Sequence, residues 1–339
     1  MYDVTVVLLD DGHASTALLP IEVFHAAGAL WRALRGEAPE PRFKVTTASI
    51  DGRAVRSPYA GLMLTPEHRI ADIERTDIVI VPTSGIELDE KLRENSALLP
   101  WLQRQHADGA YIAGVCMGAA YLAEAGLLDG KVATTHWAVG ADLARRFPKV
   151  DWRTDMFVTE DSRLLCSGGV TAAADVSLYL VEKLCGHEIA VQTAKALLLT
   201  MPRACQSGYA LLPISPAHND PAVRACELYL QAHYREATSL DKLAEKVCLA
   251  PRTLLRRFKA ATGRLPGAYV QAVRVETAKA MLERDRESVQ RIASTVGYED
   301  TSFFRTLFKR ATGMTPIEYR LRFAALDVRQ HDGAEAGGA

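Results

Sequence analysis

The residues best placed to do chemistry in this 339-residue sequence lie at Gly114-Val-Cys116-Met-Gly118. An apolar run from Tyr111 to Val115 ends at a cysteine with glycine two positions away on each side. A small-residue stretch, Met117 to Glu124, follows at once. Glycines at that spacing permit a sharp strand-to-helix turn, which holds a thiol at a helix N-terminus where the dipole favours thiolate. The same pattern also fits an inert cysteine buried in a core. Met117 neither exchanges protons nor donates a strong hydrogen bond, so a hydrolytic dyad built on the adjacent residue is absent.

A second kind of chemistry is written twice near the C-terminus. Ser239-Leu-Asp-Lys-Leu-Ala-Glu-Lys-Val returns as Ser288-Val-Gln-Arg-Ile-Ala-Ser-Thr-Val, and Phe258-Lys-Ala-Ala-Thr-Gly263 returns as Phe308-Lys-Arg-Ala-Thr-Gly313. Each copy reads as a short helix, a break and a second helix rich in Arg and Lys, the pattern of a helix-turn-helix. At about 100° per residue, Leu254, Leu255 and Phe258 share one side of the first such helix, and Arg252, Thr253, Arg256, Arg257 and Lys259 share the other. In the second copy Phe303, Phe304, Leu307 and Phe308 face inward, while Thr301, Ser302, Arg305, Thr306 and Lys309 face outward. A cationic, hydroxylic helix face suits the major groove of DNA, where Arg bonds guanine edges and Ser or Thr bonds phosphates. One such helix fits a solvated bundle face equally well; two at repeat spacing favour DNA.

The elements that must position the cysteine alternate in type. Apolar strands are expected at 4–9, 43–48, 78–81 and 111–115, with helices over 21–35 and 117–124, an amphipathic region over 87–105 broken near Pro100, and a β excursion around 55–65. A hairpin over 156–166 and helices over 139–147, 171–184 and 189–200 follow. This alternation predicts a doubly wound, mainly parallel α/β sheet, whose pockets form at the carboxyl ends of its strands. The expected organisation is a ligand-sensing and dimerisation domain over 1–205, a linker over 206–220, an all-α double helix-turn-helix domain over 221–325 and a disordered tail over 326–339.

Charge divides along the same line. Residues 222–331 carry a net +8 and residues 1–221 a net −7, within an overall −1. DNA binding is therefore expected of the C-terminal part alone, because affinity for DNA rests on local phosphate neutralisation. The six cysteines show no CxxC or Cys/His spacing, so no disulfide, metal or other cofactor is expected. With no signal-peptide pattern and no stretch of about 20 uninterrupted apolar residues, a soluble cytoplasmic protein without membrane contact is expected.

Two family resemblances sharpen these expectations. Gly297-Tyr-Glu-Asp-Thr-Ser-Phe-Phe-Arg-Thr-Leu-Phe-Lys-Arg-Ala-Thr-Gly-Met-Thr-Pro-Ile-Glu-Tyr-Arg320 closely resembles the signature of AraC/XylS-type transcriptional regulators. It implies two helix-turn-helix units joined by a long helix, each placing a recognition helix in successive major grooves. Ala250 departs from the family, which often has Ser as the helix cap there. Ala113 to Trp137 resembles the ThiJ/PfpI branch of the class I glutamine amidotransferase-like superfamily, which implies a flavodoxin-like amidotransferase fold. That resemblance matches Glu22 to an acidic residue approaching the elbow cysteine, and His136 to the histidine of a Thr-Thr-His-Trp run. Glu22 also fits a solvated helix carboxylate, and His136 a structural histidine beside Trp137. The candidate pocket is then Glu22, Gly85, Cys116, Met117, His136 and Trp137.

The expected function is that of a transcriptional regulator, an activator by family habit, and not an enzyme. Its partners would be an operator duplex, a small effector that analogy with the family makes nitrogenous, RNA polymerase for an activator, and a second copy in a homodimer. The alternative is a cysteine-dependent hydrolase or isonitrile hydratase-like enzyme carrying an ancillary DNA-binding domain.

Overall fold

The computed structural model describes residues 1–85, 87–201, 203, 205–210, 218–284 and 287–324. The chain divides into two compact units, Met1–Ser207 and Gly208–Ala339. The expected tail over 326–339 lies outside the described residues.

The first unit is built on strands β1 (Tyr2–Val7), β2 (Phe43–Ser49), a hairpin of β3 (Val55–Arg56) and β4 (Met63–Leu64), β5 (His68–Arg69), β6 (Ile78–Val81), β7 (Tyr111–Val115), a side pair of β8 (Val132–Ala133) and β9 (Asp151–Trp152), β10 (Val158–Asp161) and β11 (Leu164–Ser167). Seven of them form one sheet in the order β10-β11-β7-β6-β1-β2-β5, parallel except for the β10 edge. The period-2 alternation of the strands sorts their side chains into two cores. Val4, Val6, Ile78, Ile80, Ala113 and Val115 face one layer; Val7, Val79, Val81 and Ile112 face the other. Helix α1 (Ser15–Ala26) covers the first face with Val23 and Phe24. Next come α2 (Leu30–Leu34), α3 (Leu88–Glu94), α4 (Leu98–Ala107), α5 (Ala119–Glu124), α6 (Gly140–Arg146), α7 (Ala172–Cys185) and α8 (His187–Ala196). Helices α4 and α5 cover the second face through Trp101, Leu102, Tyr121 and Leu122.

The helix expected over 21–35 is two helices displaced toward the N-terminus. It starts early because the Thr16 hydroxyl bonds the His13 carbonyl, and it stops where Gly28 takes φ +77°. Pro100 falls in the first turn of α4, so it does not break that helix, and the interruption lies at residues 95–97.

The second unit is all-helical: α9 (Pro221–Ala232), α10 (Leu240–Lys246), α11 (Pro251–Thr262), α12 (Pro266–Arg284), α13 (Val289–Thr295), α14 (Thr301–Thr312) and α15 (Pro316–Phe323). The sequence repeat is a repeat of physical devices. Ser239 and Ser288 cap α10 and α13 by accepting from the Lys242 and Arg291 amides. Gly263 and Gly313 close α11 and α14 in the left-handed conformation, at φ +72° and +75°, which glycine adopts without a Cβ penalty. Phe258 meets Tyr269 edge-on at 5.5 Å and 87°, and Phe308 meets Tyr319 at 5.5 Å and 85°. Helix α12 joins the halves, since Tyr269 and Val273 enter the first core while Val275, Ala278 and Leu282 enter the second.

The expected linker is only partly a linker. Gln206 is buried in the first unit, Tyr209 and Ala210 are held by the second, and 211–217 lie outside the described residues.

Because Phe258 and Phe308 are wholly buried, each Phe→Ala change is expected to cost about 3 to 5 kcal/mol. Hydrogen exchange should show protection lost first in α9–α11 for Phe258→Ala and in α13–α15 for Phe308→Ala. Equal loss in both halves for either variant would contradict two separately packed cores.

Candidate functional site: a strained cysteine elbow and a twin recognition face

Strand β7 ends at Cys116, which takes φ +55°, and a short 3-10 turn over Cys116–Gly118 leads into α5. A cysteine in the left-handed region is strained, so its surroundings must enforce the turn. They do so through two close approaches. A Cβ on Gly114 would lie 2.7 Å from the Ala119 backbone, and one on Gly118 only 2.2 Å from the Val81 carbonyl oxygen. The Thr135 hydroxyl then donates to the Cys116 carbonyl at 2.9 Å, tying the elbow to the loop after β8.

The elbow opens onto a cavity of about 620 Å³, lined among others by Thr83, Ser84, Gly85, Cys116, Met117 and His136. Asp11, His13, Tyr59, Glu87, Glu90 and Lys91 form its polar side. Gly85 belongs there because a Cβ would press on Lys91 Cε at 3.0 Å. Lys91 is buried with its ammonium on Asp11 and Glu94, each at 2.8 Å. Burial alone would lower its pKa, but the two carboxylates hold it well above the ordinary lysine range. The Lys91 ammonium, with Arg56 beside it, in turn holds Asp11 below the usual carboxylate range. His13 meets the Tyr59 hydroxyl at 3.3 Å at the cavity mouth.

Burial pushes the Cys116 thiol up to about 11, against weaker opposing hydrogen bonds from the Met117 amide and the Thr83 side chain. The thiolate expected from the helix dipole is therefore overturned: loss of water outweighs the end of a short helix. Burial, with His13 adding to it, also lowers the His136 pKa. The His136 Nδ1 accepts the Ala138 amide at 3.1 Å, so the neutral imidazole carries its proton on Nε2. Such a ring offers the cavity a donor rather than a general base.

In the helical unit, Arg252, Arg256 and Lys259 of α11 are exposed, and Thr253 is half-buried. On α14, Ser302, Arg305, Thr306 and Lys309 are exposed and Thr301 is half-buried. Aligning Phe258 with Phe308 places Arg252 opposite Ser302, Arg256 opposite Thr306 and Lys259 opposite Lys309. The two faces thus differ at two matched positions, with guanidinium at 252 and 256 on the first and hydroxyl at 302 and 306 on the second. Asp300 caps α14 through the Ser302 and Phe303 amides, whereas Ala250 supplies α11 with no side-chain cap.

Residues 4–183 match the model of the DJ-1/PfpI family, and residues 243–322 match that of a helix-turn-helix domain. The chain belongs to the DJ-1/PfpI family. It joins that domain to a helix-turn-helix domain of AraC type. It is 29% identical over 276 residues to the HTH-type transcriptional regulator GbdR of Pseudomonas aeruginosa, covering 81% of this chain and 74% of GbdR. It is 35% identical over 131 residues to an isonitrile hydratase of Pseudomonas putida, covering 38% of this chain and 55% of the hydratase. The crystal structure of Drosophila melanogaster DJ-1beta superposes with a TM-score of 0.50 at 24% identity, covering 59% of this chain and 98% of that one, and shares the fold.

Within this DJ-1/PfpI unit several expected site residues stand elsewhere. Glu22 is exposed and lines a separate surface groove with His25, Leu30 and Leu197. Near the start of α1, Thr16 is fully buried, and its hydroxyl accepts the amide of Thr83, a cavity residue. Six residues later the helix has turned about 240°, which takes Glu22 away from the cavity. Trp137 packs against His136 at 5.3 Å between ring centres and is not among the cavity residues. In the AraC-type unit, Arg257 is held bidentately by Asp220, the N-cap of α9, at 2.8 and 2.7 Å. It braces the first core and is not free for DNA. Phe303, expected to face inward, is exposed and lines a groove with Leu255, Leu265 and Tyr298. Asp11, His13 and Tyr59 are not marked in the sequence because their turns carry no periodic signal, and Lys91 because a lysine in an amphipathic helix reads as solvent-facing; Asp10-Asp11-Gly12, at the end of the first apolar run, is the one local hint.

A thiol with a pKa near 11 loses about tenfold in thiolate for each pH unit below that value. Alkylation of Cys116 by iodoacetamide, followed by peptide mass spectrometry, should therefore climb through pH 10 without levelling. A plateau near pH 8 would contradict the buried, neutral thiol.

Proposed function

We propose that the protein is a transcriptional regulator whose helical unit reads duplex DNA and whose DJ-1/PfpI unit binds a small effector at the Cys116 cavity without turning it over. The carrying observation is the pair of recognition helices, each closed by a left-handed glycine, each held by an edge-on Phe–Tyr pair and each leaving its polar face exposed. Arg252 and Arg256 lie one turn apart, with reach to guanine O6 and N7; Ser302, Arg305, Thr306 and Lys309 serve the second groove. The name of the GbdR relative supports the same reading.

Three features support binding over catalysis: the neutral thiol of Cys116, the aprotic side chain of Met117 and the Nε2–H form of His136. Glu87 and Glu90 at the cavity favour an effector with a cationic nitrogen. The reading extends to a cytoplasmic homodimer on repeated half-sites, with RNA polymerase as a partner if it activates. The strained φ of Cys116 and the likeness to an isonitrile hydratase favour a second reading, a cysteine enzyme. Turnover of an isonitrile or amide that is lost in Cys116→Ser would establish it.

DNA titrations against a duplex selected from a random library, and against point-changed versions, separate the roles. Arg256→Ala is expected to cost about 1 to 3 kcal/mol and relax preference at one base pair, while Lys309→Ala weakens all sequences alike and flattens the salt dependence. Arg257→Ala should spare base preference and lower the melting temperature, since it frees Asp220. If Arg256→Ala weakens selected and random DNA by equal factors, α11 does not read bases.

A further inference from the structure

The residues that leave the first unit are fastened to the wall of its cavity. Gln206 is 1% exposed, and its amide nitrogen donates to the Thr135 carbonyl at 2.8 Å, the Met156 carbonyl at 3.0 Å and the Thr134 hydroxyl at 3.3 Å. Its own backbone amide donates to the Asp155 carbonyl at 2.7 Å. Thr135 in turn donates to the Cys116 carbonyl, and the next residue is His136 of the cavity. Arg203 adds a second fastening, with backbone and guanidinium bonds to the buried carboxylate of Asp175 at 2.6 to 3.2 Å.

The residues that enter the second unit are fastened just as closely. A Cβ on Gly208 would lie 2.3 Å from Met314 Cε. Tyr209 stacks edge-on against Phe323 at 4.9 Å and accepts a bond from Arg322, and the Ala210 carbonyl accepts from the buried Lys279 of α12 at 2.8 Å. Both α12 and α15 belong to the core that carries α14. The chain thus passes from one anchored segment to the other across a single Ser207–Gly208 peptide, about 3.8 Å between α-carbons. A polar, irregular stretch would otherwise absorb any movement; here no free residue intervenes among those described.

Resting on the regulatory reading above, we propose that Gln206 is the positioning residue that couples the Cys116 cavity to the second helix-turn-helix. An effector that displaces the Thr134–His136 wall displaces Gln206, and the shift is delivered to Gly208, Tyr209 and Ala210. Coupling of this kind is reciprocal, so DNA bound at one end must be felt at the other.

The test uses the full chain and needs no known effector. The rate of N-ethylmaleimide addition to Cys116 is followed by peptide mass spectrometry with and without a duplex selected by the wild-type protein from a random library. The buried Cys166 in the same digest reports global unfolding. Addition to a buried thiol scales with the population of the state that exposes it, so in the wild type the duplex should change the Cys116 rate by about fivefold or more, the low end of a typical coupling. Gln206→Ala should abolish that change while keeping duplex affinity within about threefold of the wild type, a bound set below the smallest coupling expected. Thr135→Val, which removes the bond to Cys116 and keeps the shape, should abolish it too and decides the matter if Cys166 shows that Gln206→Ala unfolds. A duplex that binds yet leaves the Cys116 rate unchanged, or changes it equally in a folded variant, overturns the coupling alone. A library that yields no enriched duplex overturns the regulatory reading and the coupling with it.

Discussion

At Cys116 the chain must leave a central strand and begin a helix within one residue, and backbone packs against backbone on both sides of that turn. Gly114 and Gly118 have no room for a side chain, and the cysteine between them is held at φ +55°. Such strain persists only where the surroundings over-determine it. Here they are the parallel sheet, the Val81 carbonyl and the Thr135 hydroxyl. The cavity, the neutral thiol and the fastening of Gln206 all follow from that fixed turn. Substituting either glycine would disturb the sheet end and the pocket together.

The helical unit depends on a different economy, one device used twice. Serine caps, left-handed glycines and edge-on Phe–Tyr pairs recur at matching positions, so the two recognition helices are held alike. Identical scaffolds leave the exposed donors free to diverge. Arg252 and Arg256 stand exposed on one face where Ser302 and Thr306 stand exposed on the other. Arg257 shows the limit of reading a helix face by angle alone. It lies at the border of the polar side, and a nearby carboxylate claims it for structure.

Legibility followed the physics of periodicity. Strands β6 and β7 were visible to the residue because a buried parallel strand is a short apolar run with sharp ends. The helix-turn-helix repeat was visible because its caps and aromatics sit at fixed offsets. The cavity's polar side was not, since Asp11 and His13, Tyr59, and Lys91 come from three separate segments that only the fold brings together. Glu22 lies about 240° of helix turn from the buried Thr16, and Thr16, which accepts the Thr83 amide, bears no charge to draw notice. A linker is expected over 206–220, yet Gln206, Tyr209 and Ala210 are anchored with no sequence pattern that reveals it.

The central claim is that two equivalent helices read one DNA face. Hydroxyl-radical footprinting of the full chain on a duplex selected from random sequence tests it most directly. The account predicts two protected tracts on the same face, about 10 to 10.5 base pairs apart. A single short tract, or protection that moves freely along the duplex, would contradict it.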